Sequence, residues 1–219
     1  MSFASSFASS AIYDSRDDQV DPARGDYLSI NGQLAARKIG SEVGFSKTFM
    51  TAQLFRTAPH TRRLVVAGSA RLGLADGFPR AVGQPAQVVE DLPASERFFA
   101  GGDTTVRGYA LDTLGATRTK DQDGFPIGGN ALVIFNAEAR VPVWGGVGVV
   151  GFLDSGNVFA RPTDLDLGML KTAVGLGVRY KSPVGPIRID IGFKLQREEL
   201  SPGRREGLTA LHISLGQAF

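Results

Sequence analysis

The chain has 219 residues, a formal net charge of +2 and a mean hydropathy of −0.02. So even a charge balance gives no argument for nucleic acid or an acidic partner, and 42% hydrophobic residues exclude a disordered chain. There is no Cys, which removes disulfides, thiolate metal sites and Cys nucleophiles together.

No window approaches the ~18 consecutive apolar residues of a spanning helix. A transmembrane β-barrel escapes that test, because its strands alternate apolar and polar residues. The sequence begins Met1-Ser2-Phe3-Ala4 and enters strand-like sequence at once, without the basic and apolar regions of a signal peptide. As a barrel it would lack its own export address, so a fragment or processed product is expected.

Nine strands are expected, with turn signals between them and no convincing helix. The first covers residues 3–13 and is followed by a turn containing Asp17, Asp18, Asp21, Pro22 and Gly25. The next three cover 27–37, 43–55 and 64–74. A long connection at about 75–130 is rich in Gly, Pro and charge. It is too long for a structureless loop in a compact domain, so it should be functional or folded inside something. The fifth to seventh strands cover 131–141, 147–159 and 170–180, and the last two 187–196 and 209–219.

The eighth strand has the clearest pattern. Ile187, Ile189, Ile191, Phe193 and Leu195 fall on one face, and Arg188, Asp190, Gly192, Lys194 and Gln196 on the other. A helix would scatter those five apolar residues around its axis. The seventh sets Val174, Leu176, Val178 and Tyr180 against Gly175, Gly177 and Arg179. The ninth sets Leu211, Ile213, Leu215 and Phe219 against His212, Ser214 and Gly216. Short connections at 144–146 and 182–185 alternate with longer polar ones at 160–168 and 197–207. Membrane barrels show this asymmetry. A soluble β-protein would also alternate along its strands, so alternation alone leaves both open.

Several motif matches are set aside. Residues 146–151 fit GxGxxG, but a strand follows where a dinucleotide site needs a helix. Asp121-Gln122-Asp123-Gly124 is half a calcium loop without its bidentate acid. Arg24-Gly25-Asp26 is explained by a hairpin turn. His60 and His212 have no ligand-spaced partners, so no metal and no cofactor are expected. There is no G-x-S-x-G elbow, and no catalytic residue is assigned. Pro142 and Trp144 beside a short turn suit an aromatic girdle.

The glycine-dense stretch Gly101-Gly102-Asp103-Thr104-Thr105-Val106-Arg107-Gly108-Tyr109 carries one Arg, and Glu138 and Asp154 follow on the next two strands. Ser182-Pro183-Val184-Gly185-Pro186 forms a turn, and Asp154-Ser155-Gly156-Asn157 closes the set. Together these resemble the Omp85 superfamily of bacterial outer-membrane proteins (surface antigen D15, BamA/TamA-like).

The resemblance implies an all-β antiparallel transmembrane β-barrel, here the C-terminal nine strands of a sixteen-stranded barrel, with no POTRA domain. It places the Val106, Arg107, Gly108 and Tyr109 motif in a lumen loop, with Glu138 and Asp154 as inner-wall partners of Arg107. Gly101, Gly102, Gly156 and Gly185 become loop and turn glycines, and Phe219 a C-terminal assembly signal. Physically, an Arg in a partly dry lumen needs carboxylates, because an unpaired buried charge is costly. The implied role is non-enzymatic assembly, insertion or translocation of β-rich proteins. Its partners would be outer-membrane lipid, unfolded outer-membrane substrates and, through POTRA domains absent here, periplasmic or lipoprotein factors, with no nucleic acid. The implied location is the outer membrane of a Gram-negative-type bacterium. The alternative is a small structural or ligand-binding β-barrel without an assembly role.

Overall fold

The computed structural model describes residues 5–37, 40–59, 64–82, 87–90, 92–116, 118–183, 185–201 and 204–219. Phe3, His60 and Val184 therefore lie outside the described residues. The strands are β1 (Ser6–Asp14), β2 (Gly25–Ala35), β3 (Phe45–Thr57), β4 (Val65–Gly77), β5 (Pro79–Val82), β6 (Gln87–Glu90), β7 (Ala131–Trp144), β8 (Val147–Phe159), β9 (Lys171–Ser182), β10 (Gly185–Lys194), β11 (Glu199–Ser201), β12 (Arg204–Arg205) and β13 (Thr209–Leu215).

Nine of these form one antiparallel sheet in the order β1-β2-β3-β4-β7-β8-β9-β10-β13. Neighbours in the chain are neighbours in space, as hairpin connections require. The sheet is open, with β1 and β13 as its edges. The small hairpins β5-β6 and β11-β12 decorate the two longest connections. Among the fully described elements, helix is limited to the 3₁₀ turns Ala94–Glu96, Pro162–Asp164 and Leu167–Met169, of 3 residues each.

Register turns the alternation into two surfaces. Ile189 sits between Val178 and Ile213, and Ile191 between Leu176 and Leu211. Val149 joins Val178 to Val141, so the apolar row runs on to β7. These outward side chains are exposed, while Arg188 and Asp190 between them are 1% and 0% exposed. A contiguous exposed belt of Leu, Ile, Val and Phe is what lipid rather than water tolerates.

The sheet curls around the 78–130 connection. Phe98, Ala100, Val106, Tyr109 and Leu114 from that segment pack with Phe45, Leu132, Ile134 and Val158 of the wall. Phe49 and Phe98 stack with centroids 6.0 Å apart. At the short-turn end the curl draws distant turns together. Asp21, between β1 and β2, accepts from Gln217 Nε2 at 2.8 Å and lies 3.4 Å from Lys181 Nζ.

Two expectations about the chain's course need correction. The long connection starts at residue 78, because β4 runs on to Gly77. The last strand stops at Leu215, not Phe219. Gly216 takes φ +89°, a left-handed conformation natural to glycine. The tail then turns inward, so Phe219 leaves the outward row and stacks on the buried Phe55 at 6.3 Å.

The belt generates a test. A charge on the lipid face near mid-membrane costs about 2–4 kcal/mol. Ile191→Arg should therefore lose the heat-modifiable gel band of the inserted chain, while Ala137→Val, also outward, should keep it.

Candidate functional site

Each side chain of the central cluster is aimed by strand parity. Asn136, Glu138 and Arg140 alternate on the inner face of β7, with Phe135, Ala137 and Ala139 exposed outside. Phe152 and Asp154 do the same on β8, Arg179 on β9, and Arg188 and Asp190 on β10. The tip of the long connection descends onto them.

Arg107 is 1% exposed and almost wholly consumed by carboxylates. Its backbone N–H donates to Asp154 Oδ2 at 3.0 Å, Nε to the same oxygen at 2.7 Å, and Nη2 to Oδ1 at 2.8 Å. Nη1 donates to Glu138 Oε1 and lies 3.6 Å from Asp190 Oδ2. The guanidinium carbon stands 3.6 Å from the Phe152 ring centroid. A bidentate fork on one acid, a second acid on the free nitrogen and a ring on the flat face use all of guanidinium's geometry.

The acids are shared. Glu138 also accepts from Arg140 Nε at 2.7 Å and faces Arg179 at 3.6 Å. Asp190 binds Arg179 at 2.5 Å and 3.1 Å. Arg188 reaches up to Asp103 of the loop, at 2.7 Å to its carboxylate and 3.0 Å to its carbonyl. Asn136 Nδ2 donates to Thr105 O and Asp154 Oδ1, and its Oδ1 accepts from Arg71 Nη2 at 2.8 Å. Tyr109 hydroxyl donates to Gln196 O at 2.8 Å, and Gly108 N–H points to His212 Nε2 at 3.4 Å. The tip is thus tied to strands from β4 to β13.

Close approach requires glycine. A Cβ on Gly192 would lie 2.5 Å from Gly108 N, and Gly108 itself has φ +103°. Such a strand glycine marks backbone meeting backbone. Gly101 and Gly102 also take positive φ, which lets the loop fold on itself through Gly102 N–H to Tyr109 O. Gly156 lies under Val106, and Gly185, at φ +114°, opens β10. Phe219 stands apart from this cluster, against Phe55 and Arg140.

The sequence reading brought Arg107, Glu138 and Asp154 forward and missed Asn136, Arg140, Arg179, Arg71 and the Asp103–Arg188 pair as members. The signal available was parity: Asn136, Arg140, Arg179, Arg71 and Arg188 each sit on the inner row of their strand, whereas Asp103 lies in the loop. No group of acids and histidines among the described residues could hold a metal. Asp121 instead accepts from the backbone N–H groups of Asp123 and Phe125, closing its own turn.

Outside the strands, Glu198 ties the outer loops. Burial pushes its carboxyl up, but hydrogen bonds from Lys171 and Lys120 outweigh this and hold it below its ordinary value. A lowered carboxylate stabilises above the unfolded pKa and loses that contribution as pH falls through the folded one. The loops at 118–120 and 196–206 should resist proteolysis at neutral pH and become cleavable as pH drops below the usual carboxylate range. Glu198→Gln should remove that pH dependence.

Removing Arg107 strands several buried carboxylates. Breaking a buried pair from one side costs about 3–5 kcal/mol. Arg107→Ala should destabilise the inserted chain by that amount, seen as a urea midpoint lowered by this free energy divided by the m-value. Arg107→Lys should recover little, because one ammonium cannot serve Asp154 and Glu138 together. A midpoint unchanged in Arg107→Ala would show that the tip is held without this network.

Comparison with known proteins bears on the fold and the family. The Omp85 superfamily domain matches residues 1–219. The chain is 28% identical over 217 residues to the outer membrane protein assembly factor BamA of Nitratidesulfovibrio vulgaris, covering 94% of this chain and 24% of that protein. It is 29% identical over 168 residues to the bovine sorting and assembly machinery component 50 homolog, covering 72% of this chain and 32% of the other. The chain therefore spans about a quarter to a third of these relatives. The crystal structure of BamA from Haemophilus ducreyi lacking POTRA domains 1–3 superposes with a TM-score of 0.72 at 17% identity, over 96% of this chain and 41% of that one. The open nine-stranded sheet, its inward arginine loop and the match along its full length show that the chain belongs to the Omp85 superfamily.

Proposed function

We propose that residues 1–219 are the C-terminal part of an outer-membrane assembly barrel, which inserts or translocates β-rich proteins without catalysis. The observation that carries this is the Arg107 tip locked to Asp154 and Glu138 inside a lipid-facing sheet. The lock holds a folded plug within the curl of the sheet. On this reading a seam between strands of the whole barrel opens, and its free N–H and C=O groups template a strand of the substrate. The names of the BamA and sorting-machinery relatives support assembly as the activity. On this reading the substrates are unfolded outer-membrane proteins and the solvent is outer-membrane lipid. The location is the outer membrane of a Gram-negative-type bacterium, and POTRA domains of the whole protein recruit its periplasmic or lipoprotein partners.

The test is reconstitution. Liposomes carrying the refolded chain should speed the folding of a urea-unfolded β-barrel substrate, followed by its heat-modifiable gel band. The comparison is liposomes carrying an equal amount of an inert small barrel. Equal folding rates in the two preparations would overturn the assembly reading.

A further inference from the structure

Arg140 carries a feature that the Arg107 network leaves over. The residue is 7% exposed and its Nε is taken by Glu138, yet Nη1 and Nη2 are buried without a hydrogen-bond partner among the described residues. Burying guanidinium N–H groups unpaired is unfavourable unless something offsets it. Here two rings cover the group. Phe55 lies 5.6 Å away and Phe219 5.5 Å away, measured to their centroids.

The two covers differ in kind. Phe55 belongs to β3 and is fixed by a strand. Phe219 hangs from the tail beyond Gly216, which is held by Gly216 N–H to Pro186 O and by Gln217 to Asp21. Arg140 also lines a cavity of 470 Å³ at the short-turn end, together with Arg179, Lys181, Gln217 and Asp21. Arg179 Nε is a further buried donor without a partner. Asp21, the acid of this lining, is already engaged by Gln217 and Lys181. Gln217 Oε1 is a buried acceptor without a partner in the same lining, so among the described side chains three unpaired guanidinium nitrogens face one unpaired acceptor.

From this geometry we propose a gated oxyanion site: Arg140 Nη1 and Nη2 bind a carboxylate or phosphate from the cavity when the Phe219 ring swings aside. Two parallel N–H groups match two oxygens of such a group. Arg179 and Lys181 add positive charge at the same wall. The ring and an anion compete for the space beside the two Nη groups, so tail release and anion binding are linked and each favours the other.

The experiment uses the full chain refolded in detergent micelles, with sodium benzoate and inorganic phosphate as separate titrants in calorimetry. Phe219→Ala should bind at least one of them about tenfold more tightly than the unaltered chain, since the competing cover is gone. Arg140→Gln in the Phe219→Ala background should lose that binding. If Arg140→Gln fails to give the folded gel band, Arg140→Lys keeps the charge beside Glu138 without the fork and should bind about tenfold more weakly. Preference for benzoate would identify a carboxylate attached to an apolar group as the ligand, and preference for phosphate a headgroup-like anion. A folded Phe219→Ala chain that binds neither anion more tightly than the unaltered chain would overturn the proposal. So would binding that survives both Arg140 variants.

Discussion

A guanidinium in a dry interior must be surrounded by acceptors, and the placement of Arg107 disciplines everything around it. Its partners come from β7, β8 and β10, so those strands must present acids on the same side at the same height. Glu138 and Asp190 then bring Arg140 and Arg179 into the cluster to balance their own charge. Each added cation brings its own need for acceptors, and the network stops where Arg140 runs out of them. Curvature follows from this convergence. A flat sheet could not aim side chains from such widely separated strands at one loop residue.

Small residues make the convergence possible. Gly192 lets the loop backbone touch β10, and Gly175 leaves room for the Phe152 ring, whose nearest atom would lie 2.2 Å from a Cβ there. That ring in turn carries the face of Arg107. The glycine lane of β9 and β10 is thus part of the charge site, although it holds no charge itself. Outside, the middle of the same strands offers Val174, Leu176 and Val178 beside Ile187, Ile189, Ile191 and Phe193. One backbone serves two solvents, and the period of two is the device that separates them.

Much of this was legible in the residues. The alternation of 187–195 gives strand and facing because every second residue is apolar without exception. The Val106-Arg107-Gly108-Tyr109 motif with two later acids gives the resemblance. Less legible was whatever depends on which strand stands beside which. Arg179 and Asp190 meet only because Asp190 pairs with Gly177, two residues from Arg179 on the same face. Asn136 joins because it stands opposite Asp154. Parity assigns such residues to the inner wall, but only the register says whom they touch. The inward turn of Phe219 was hidden for a different reason. Leu211, Ile213, Leu215 and Phe219 fit one apolar row, and the left-handed Gly216 that interrupts it is a backbone choice the pattern does not record.

The loop's ties are unevenly distributed, and that gives the sheet a mechanical grain. The tip's side-chain ties run from β4 to β13, while β1 pairs only with β2 and is exposed along its whole length. In the isolated 219-residue chain, amide hydrogens should therefore exchange with solvent fastest in β1 and slowest in β8, whose two neighbours and loop contacts must all part before it opens. Unzipping would begin at β1 and stall at β4, where Arg71 reaches Thr104. The chain behaves less like a uniform wall than like a hinged panel, with a stiff leaf at β7 to β10 and a compliant one ahead of it.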